Sequence, residues 1–217
     1  MPLNTRFLIV LSALVLSFGA QANNRQMNIM DFSLYIPWDY SKDLNTKNGS
    51  SAEIEGNHGF GLGMGYSWSD SISTRFDLQW NHRDYSGIQV SDGPLKIEQP
   101  YRSRLDSIHM DLGVDWYLIK NRPWTPFLSA SVGWNFYDSN IPAGPGDCWW
   151  DPILGPVCVQ STYTEDTWST GLAGGLRFDI GDRYFTRILY GERFINMDNI
   201  NGTTNFRYSR VEFGWSY

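Results

Sequence analysis

The chain has 217 residues, a formal net charge of −6 and 16% aromatic residues, with 10 tryptophans. Its mild acidity excludes a nucleic-acid binder, which needs a basic stripe. Past residue 22 no apolar run reaches the roughly 20 residues of a membrane-crossing helix, so a helical membrane protein is excluded as well. By length the chain is one domain.

Taken in chain order, the first element is a targeting segment. Arg6 opens it, an apolar run follows over 7–18, and Ala20-Gln21-Ala22 supplies a small-residue cleavage site. Residues 1–22 are expected to be a cleaved secretory signal, leaving 23–217 as an exported β-barrel domain.

Eight segments then alternate apolar with polar or small residues, the period of a strand with one greasy face. Met30, Phe32, Leu34, Ile36, Trp38 and Tyr40 share the first apolar face. In the second, Phe60, Leu62, Met64, Tyr66 and Trp68 alternate with Gly59, Gly61, Gly63 and Gly65. The third carries Ile72, Phe76, Leu78 and Trp80, the fourth Ile108, Met110, Leu112, Val114 and Trp116. The fifth carries Leu128, Ala130, Val132, Trp134 and Phe136, the sixth Trp168, Leu172, Leu176 and Phe178. The seventh, with Tyr184, Ile188, Tyr190 and Phe194, is the least regular. The eighth ends the chain on Val211, Phe213, Trp215 and Tyr217.

Short joins (69–71 and 181–182) and a modest turn around Pro123 alternate with four long joins. Short turns at one end and long loops at the other describe an eight-stranded antiparallel up-and-down transmembrane β-barrel. Alternation alone also fits a soluble barrel with its apolar face inside. Charge decides between them. The polar face carries Asp77, Asp111, Asp115, Asp179 and Glu212 with Arg75, Arg83, Arg177, Arg187, Arg193 and Arg210, while the apolar face is nearly charge-free. Its rings fall at two heights: Trp68, Trp116, Phe178, Tyr184 and Trp215 beside the short turns, and Trp38, Trp134, Phe136 and Trp168 beside the long loops. Two aromatic belts around an aliphatic band mark a lipid-facing wall.

With these features the chain resembles the small outer-membrane β-barrel proteins of Gram-negative bacteria, the group of the OmpA transmembrane domain, OmpX, OmpW and the opacity-type proteins. The carriers are the signal, the Gly-alternating stretch 59–68, Pro123-Trp124-Thr125-Pro126-Phe127, and the terminal Phe213-Gly214-Trp215-Ser216-Tyr217. The loop motif Cys148-Trp149-Trp150-Asp151-Pro152 looks like a subgroup of undefined activity. The resemblance implies an integral outer-membrane location with lipid and lipopolysaccharide as surroundings. It also implies that Phe213, Trp215 and Tyr217 are recognised by the barrel-assembly machinery.

An eight-stranded barrel is only wide enough for its own side chains. Arg75, Asp77, Asp111, Asp115, Arg177, Asp179, Arg187, Arg210 and Glu212 are therefore expected to form an interior ion network rather than a pore, with Arg75 near Asp115 and Arg187 near Glu212. No catalytic site is expected. His82, Asp84 and Ser86 share a strand face, but residues two apart on a strand are about 7 Å apart, too far to hydrogen-bond in series. Lipid A deacylases of the resembled family carry His-x-Ser, whereas residues 82–84 read His-Arg-Asp. No His/Cys cluster has zinc spacing, and 196–202 lacks calcium ligands, so no metal or cofactor is expected.

The most specialised segment is the loop at about 138–163. It holds Pro142, Pro145, Pro152 and Pro156 with Cys148, Trp149, Trp150 and Cys158. Exported cysteines are expected to pair. A Cys148–Cys158 bridge and the prolines would stiffen the loop, leaving Trp149 and Trp150 either as a contact site for a host or surface ligand or folded over the barrel rim. The leading expectation is a non-enzymatic surface protein acting through its loops. The alternatives are narrow transport of small solutes and lipid A modification.

Overall fold

The computed structural model describes residues 28–45, 50–90, 98–120, 122–142, 147–151, 155–159, 161–196 and 203–217, with backbone alone at 147–151 and 155–159. The expected signal 1–22 lies outside the described residues. Twelve strands form among them: β1 (Ile29–Asp39), β2 (Lys42–Asn45), β3 (Ser51–Ile54), β4 (Asn57–Ser67), β5 (Ile72–Val90), β6 (Glu98–Tyr117), β7 (Trp124–Pro142), β8 (Asp147–Asp151), β9 (Gly155–Val159), β10 (Thr162–Ile180), β11 (Tyr184–Asn196) and β12 (Thr203–Ser216).

Eight of these close a ring in the order β5-β4-β1-β12-β11-β10-β7-β6, and β6 pairs back onto β5. Each neighbour is antiparallel. Closure satisfies every wall strand on both sides, which a bilayer requires because hydrocarbon cannot hydrogen-bond a bare edge. The chain's last residue completes the seam: Tyr217 N–H donates to Met30 O at 2.8 Å.

The alternation sorts as the charges require. Leu34, Leu62, Leu112, Val132, Leu172 and Phe213 point outward and are exposed, while Arg75, Asp115, Arg177, Arg187 and Glu212 point inward and are buried. The seventh segment reads poorly because Phe185, Leu189 and Ile195 also face inward, which blurs its polar side. The glycines of β4 have a steric purpose. A Cβ on Gly61 would lie 2.1 Å from the Tyr35 ring, and one on Gly63 would lie 2.3 Å from Arg75 Nη2. Those two large groups occupy the lumen only because β4 leaves it clear.

The wall is not of even height. β1 and β4 have 11 residues each, about what a tilted strand needs to cross hydrocarbon. β5, β7 and β10 have 19 and β6 has 20. The four tall strands are contiguous and rise roughly 20 Å beyond the others on the long-loop side. β3 extends this side further by pairing with β5 at Ser51↔Ile88 to Ile54↔Tyr85, and β2 pairs with β3. The expected third long loop is thus corrected: β7 runs to Pro142, β10 starts at Thr162, and a β8–β9 hairpin lies between them.

Candidate functional site: the filled interior and the outer mouth

The lower lumen is an ion network. Glu212 is completely buried and receives three guanidinium groups: Arg75 at 2.8 Å, Arg210 at 2.5 Å and Arg187 at 3.7 Å. Asp77 accepts from Arg75 at 2.6 Å and from Arg210 at 2.8 Å. Arg187 also holds Asp115 at 2.8 Å. Nearer the short turns, Arg177 bridges Asp31 at 2.5 Å and Asp179 at 2.8 Å, and the Ser216 hydroxyl donates to Asp31 at 2.6 Å. Higher up, Arg193 meets Asp111 at 2.8 Å.

Several of these pairs join strands that are not neighbours in the ring. Arg75 on β5 meets Glu212 on β12, Arg187 on β11 meets Asp115 on β6, and Arg177 on β10 meets Asp31 on β1. Each ties opposite walls together across the lumen. That corrects the expected contact between Arg75 and Asp115: Arg75 goes to Asp77 and Glu212, and Asp115 goes to Arg187. Arg187 does lie opposite Glu212 in register. Asp31 and Asp39 also face inward and are buried, two carboxylates that the polar parity of the first segment could have revealed.

Aromatic rings complete the filling. Arg177 lies 4.0 Å from the Phe185 ring centre, Arg187 4.1 Å from Phe127 and Arg210 4.4 Å from Tyr35. Guanidinium stacking on a ring recovers part of the hydration each charge loses. His109 is buried and shares a 2.6 Å hydrogen bond with Asn135. It is one more member of the interior packing.

The outer mouth has the opposite chemistry. Leu44, Ile54, Tyr85, Tyr137, Ile195 and Phe206 form a buried apolar cluster, with Leu105 and Ile141 against it. β2 and β3 bring Leu44 and Ile54 over the lumen, so the first long loop caps the barrel. Within the mouth lies a cavity of about 260 Å³, bounded by Leu44, Ile54, Tyr85, Leu105 and Tyr137 of this cluster and by Tyr163 and Glu165.

On the outside of the same wall a groove of about 700 Å³ crosses β5, β6, β7 and β10. Register explains its two rows. Trp80, Ile108 and Phe136 stand side by side, and one step higher stand His82, Asp106 and Asp138. The change from apolar to polar row marks where the tall wall leaves hydrocarbon. Above it the β6–β7 ladder stops at Asp106↔Asp138. Side chains take over there: Asn140 Nδ2 donates to Arg104 O at 3.0 Å and to Asp106 Oδ2 at 2.9 Å, and the Ser103 hydroxyl donates to Ser139 O at 2.9 Å. Asn140 has a φ of 52°, and the β7–β10 register shifts between Thr162 and Thr164. Burial pushes the Asp106 carboxyl up, but hydrogen bonds from Asn140 and His82 and the charges of His82 and Arg104 outweigh it and hold its pKa below the usual value.

A family model for the outer membrane protein beta-barrel domain matches residues 8–217. The chain belongs to this family. It is an integral outer-membrane protein, and the lipid contacts its exposed belt. Among solved structures, the outer membrane protein OprG from Pseudomonas aeruginosa is 10% identical, with a TM-score of 0.54 over 91% of this chain and 99% of that one. Neisserial surface protein A is 12% identical, with a TM-score of 0.51 over 86% and 95%. At such identities the likeness is one of fold. No curated protein sequence matches the chain.

In this outer-membrane barrel the terminal Phe213, Trp215 and Tyr217 face away from the lumen at the short-turn end. Phe213 stacks on Tyr184 at 6.0 Å, and Trp215 stacks on Phe32 at 6.2 Å. The side chains of Cys148, Trp149, Trp150 and Cys158 lie outside the described residues. The backbone alone places Cys148 directly opposite Cys158 across β8–β9. His82 and Asp84 serve different partners: His82 hydrogen-bonds Asp106, and Asp84 accepts from Arg102 at 3.2 Å. Sequence reading missed the apolar mouth, because Leu44 and Ile54 sit in strands of four residues each, too short to show a period.

Proposed function

We propose that the protein is a closed, non-enzymatic outer-membrane barrel whose tall side presents a contact surface to the cell exterior. The uneven wall carries this reading. Four contiguous strands stand well beyond hydrocarbon, extended by β2 and β3, and β6 above Asp106 has no ladder partner on its β7 side. A raised sheet whose β6 edge has no ladder partner above Asp106 among the described residues supports recognition by its side-chain face. Arg102 and Arg104 on that edge keep it from pairing indiscriminately. The β8–β9 hairpin belongs to the same side. A Cys148–Cys158 bridge would fix it, and Trp149 and Trp150 would be preorganised anchors for a host or surface ligand. Assembly-machinery recognition of the terminal strand and lipopolysaccharide around the upper belt complete the reading, as does removal of 1–22 on export.

The test shortens the tall side. Replacing 83–105 by an Asn-Gly turn removes the raised β5–β6 hairpin and leaves the ladder in the membrane intact. Cells displaying this variant should lose attachment to immobilised extracellular matrix while the barrel still folds, and Trp149→Ala with Trp150→Ala should weaken attachment by tenfold or more, about 1.4 kcal/mol. Undiminished attachment by the shortened variant refutes the contact surface.

A second reading is passage of a small apolar solute. It is favoured by the register shift at Thr162/Thr164, beside which the mouth cavity and the outer groove share Tyr137, Thr164 and Glu165. Uptake into liposomes without ionic conductance would support it, and equal uptake by protein-free liposomes would end it.

A further inference from the structure

The mouth cavity invoked for passage of an apolar solute also carries a charge that such a solute would not use. Its apolar wall is Leu44, Ile54 and Leu105. Its aromatic wall is Tyr85, Tyr137 and Tyr163, and its one charged side chain is Glu165. Glu165 lies directly opposite Tyr137 across β7–β10, where facing Cβ atoms are about 5 Å apart. Among the described residues no arginine or lysine pairs with Glu165, although Asp31, Asp77, Asp111, Asp115, Asp179 and Glu212 in the lower lumen each have a guanidinium within 3 Å. The Tyr137 hydroxyl is buried and has no hydrogen-bond partner, whereas the Tyr85 hydroxyl donates to Ser139 O at 3.3 Å.

We propose that this cavity binds a small organic cation, an ammonium group on an apolar body. The Glu165 carboxylate lacks a counter-charge in a half-enclosed apolar setting, where an ion pair is stronger than in water. Tyrosine faces attract a cation through their quadrupole. The aliphatic wall takes the body of the ligand. At about 260 Å³ the space falls just below the range of drug-sized sites, so the ligand is a single-ring or short-chain amine. An anion of the same shape is repelled by Glu165, and a neutral analogue forgoes both the ion pair and the cation–π contact.

The experiment titrates the full-length barrel in lipid nanodiscs with three probes of one shape: phenethylammonium, 2-phenylethanol and phenylacetate. Binding is read by calorimetry and by tyrosine NMR shifts. Phenethylammonium should bind about tenfold more tightly than the alcohol, and phenylacetate more weakly than either. Glu165→Gln should bring ammonium and alcohol within about twofold of each other. Leu105→Trp, which fills the cavity, should abolish binding of all three. Equal binding of the three probes by the native protein overturns the proposal, as does a preference for ammonium that survives Glu165→Gln or binding that survives Leu105→Trp. If Glu165→Gln fails to fold, the native probe series and Leu105→Trp still decide.

Discussion

The lumen is closed twice, by opposite means. At membrane depth it is filled with arginine and carboxylate, and at the mouth with leucine, isoleucine, tyrosine and phenylalanine. The lower filling works because nearly every ion has a partner on a distant strand, and Arg177, Arg187, Arg193 and Arg210 each have a ring to lie against. Buried charge is costly when it is alone and roughly neutral when fully paired. The mouth has few such pairs. Arg83 reaches Asp39 only at 4.0 Å and lies 5.6 Å from the Phe206 ring. There, closure rests on apolar area contributed by segments that cross the mouth. The deep network therefore ties wall to wall and resists binding anything. The mouth is assembled from the upper ends of the wall strands with β2 and β3, and has room for a ligand.

The sharpest way to break this contrast is to remove the centre of the deep network. Glu212→Leu would leave Arg75, Arg187 and Arg210 around an apolar side chain in a buried setting. A loss of about 3–5 kcal/mol or more is expected, read as a lower urea midpoint in detergent or as failure to fold. Arg187→Leu should cost less, because Glu212 keeps two arginines and only Asp115 is orphaned. Its urea midpoint should drop while planar-bilayer conductance stays at zero. An open channel in Arg187→Leu would mean that the ions gate the lumen rather than fill it.

The mouth should respond more weakly and locally. Phe206→Ala removes a ring from the apolar cluster and from Arg83, for about 3 kcal/mol, the low end for a phenylalanine at the rim of a core. Hydrogen exchange should accelerate in β2, β3 and the upper ends of β11 and β12, while β4 and the lower half of β5 stay protected. Uniform acceleration would show that mouth and network unfold as one unit and would remove the distinction drawn between them.

How much of this was legible beforehand follows the same division. The membrane wall was readable because lipid imposes a two-residue period, as in Leu62, Met64 and Tyr66 against Gly61, Gly63 and Gly65. Above the upper belt both faces meet water or other loops and the period fades. Arg102, Arg104 and Asp106 look like loop although β6 runs straight through them. The inward arginines were legible as a set and their partners were not. Strand adjacency suggested Asp115 for Arg75, but the barrel's curvature brings Glu212 across from β12, and a linear sequence carries no direct record of which strands face each other over a lumen. The mouth cavity was invisible for the same reason, since its walls come from six separate strands.

The smallest effect sits at the boundary between the two regions, where Asn140 substitutes for the missing β6–β7 ladder. Asp106 accepts from Asn140 Nδ2, and its carboxyl is held below the usual range. A depressed carboxylate contributes stability that is present above its unfolded pKa and lost as the pH falls through the folded one. Hydrogen exchange across 138–142, corrected for intrinsic rates, should therefore be steady from pH 7 down to the ordinary carboxylate range and rise below it. Asp106→Asn should flatten this dependence and leave the lower strands unchanged. If native 138–142 exchanges at one corrected rate throughout, Asp106 does not anchor the top of β7, and the ladder's end at Asp106↔Asp138 would have to be held by the bonds from Ser103 to Ser139 O and from Asn140 to Arg104 O.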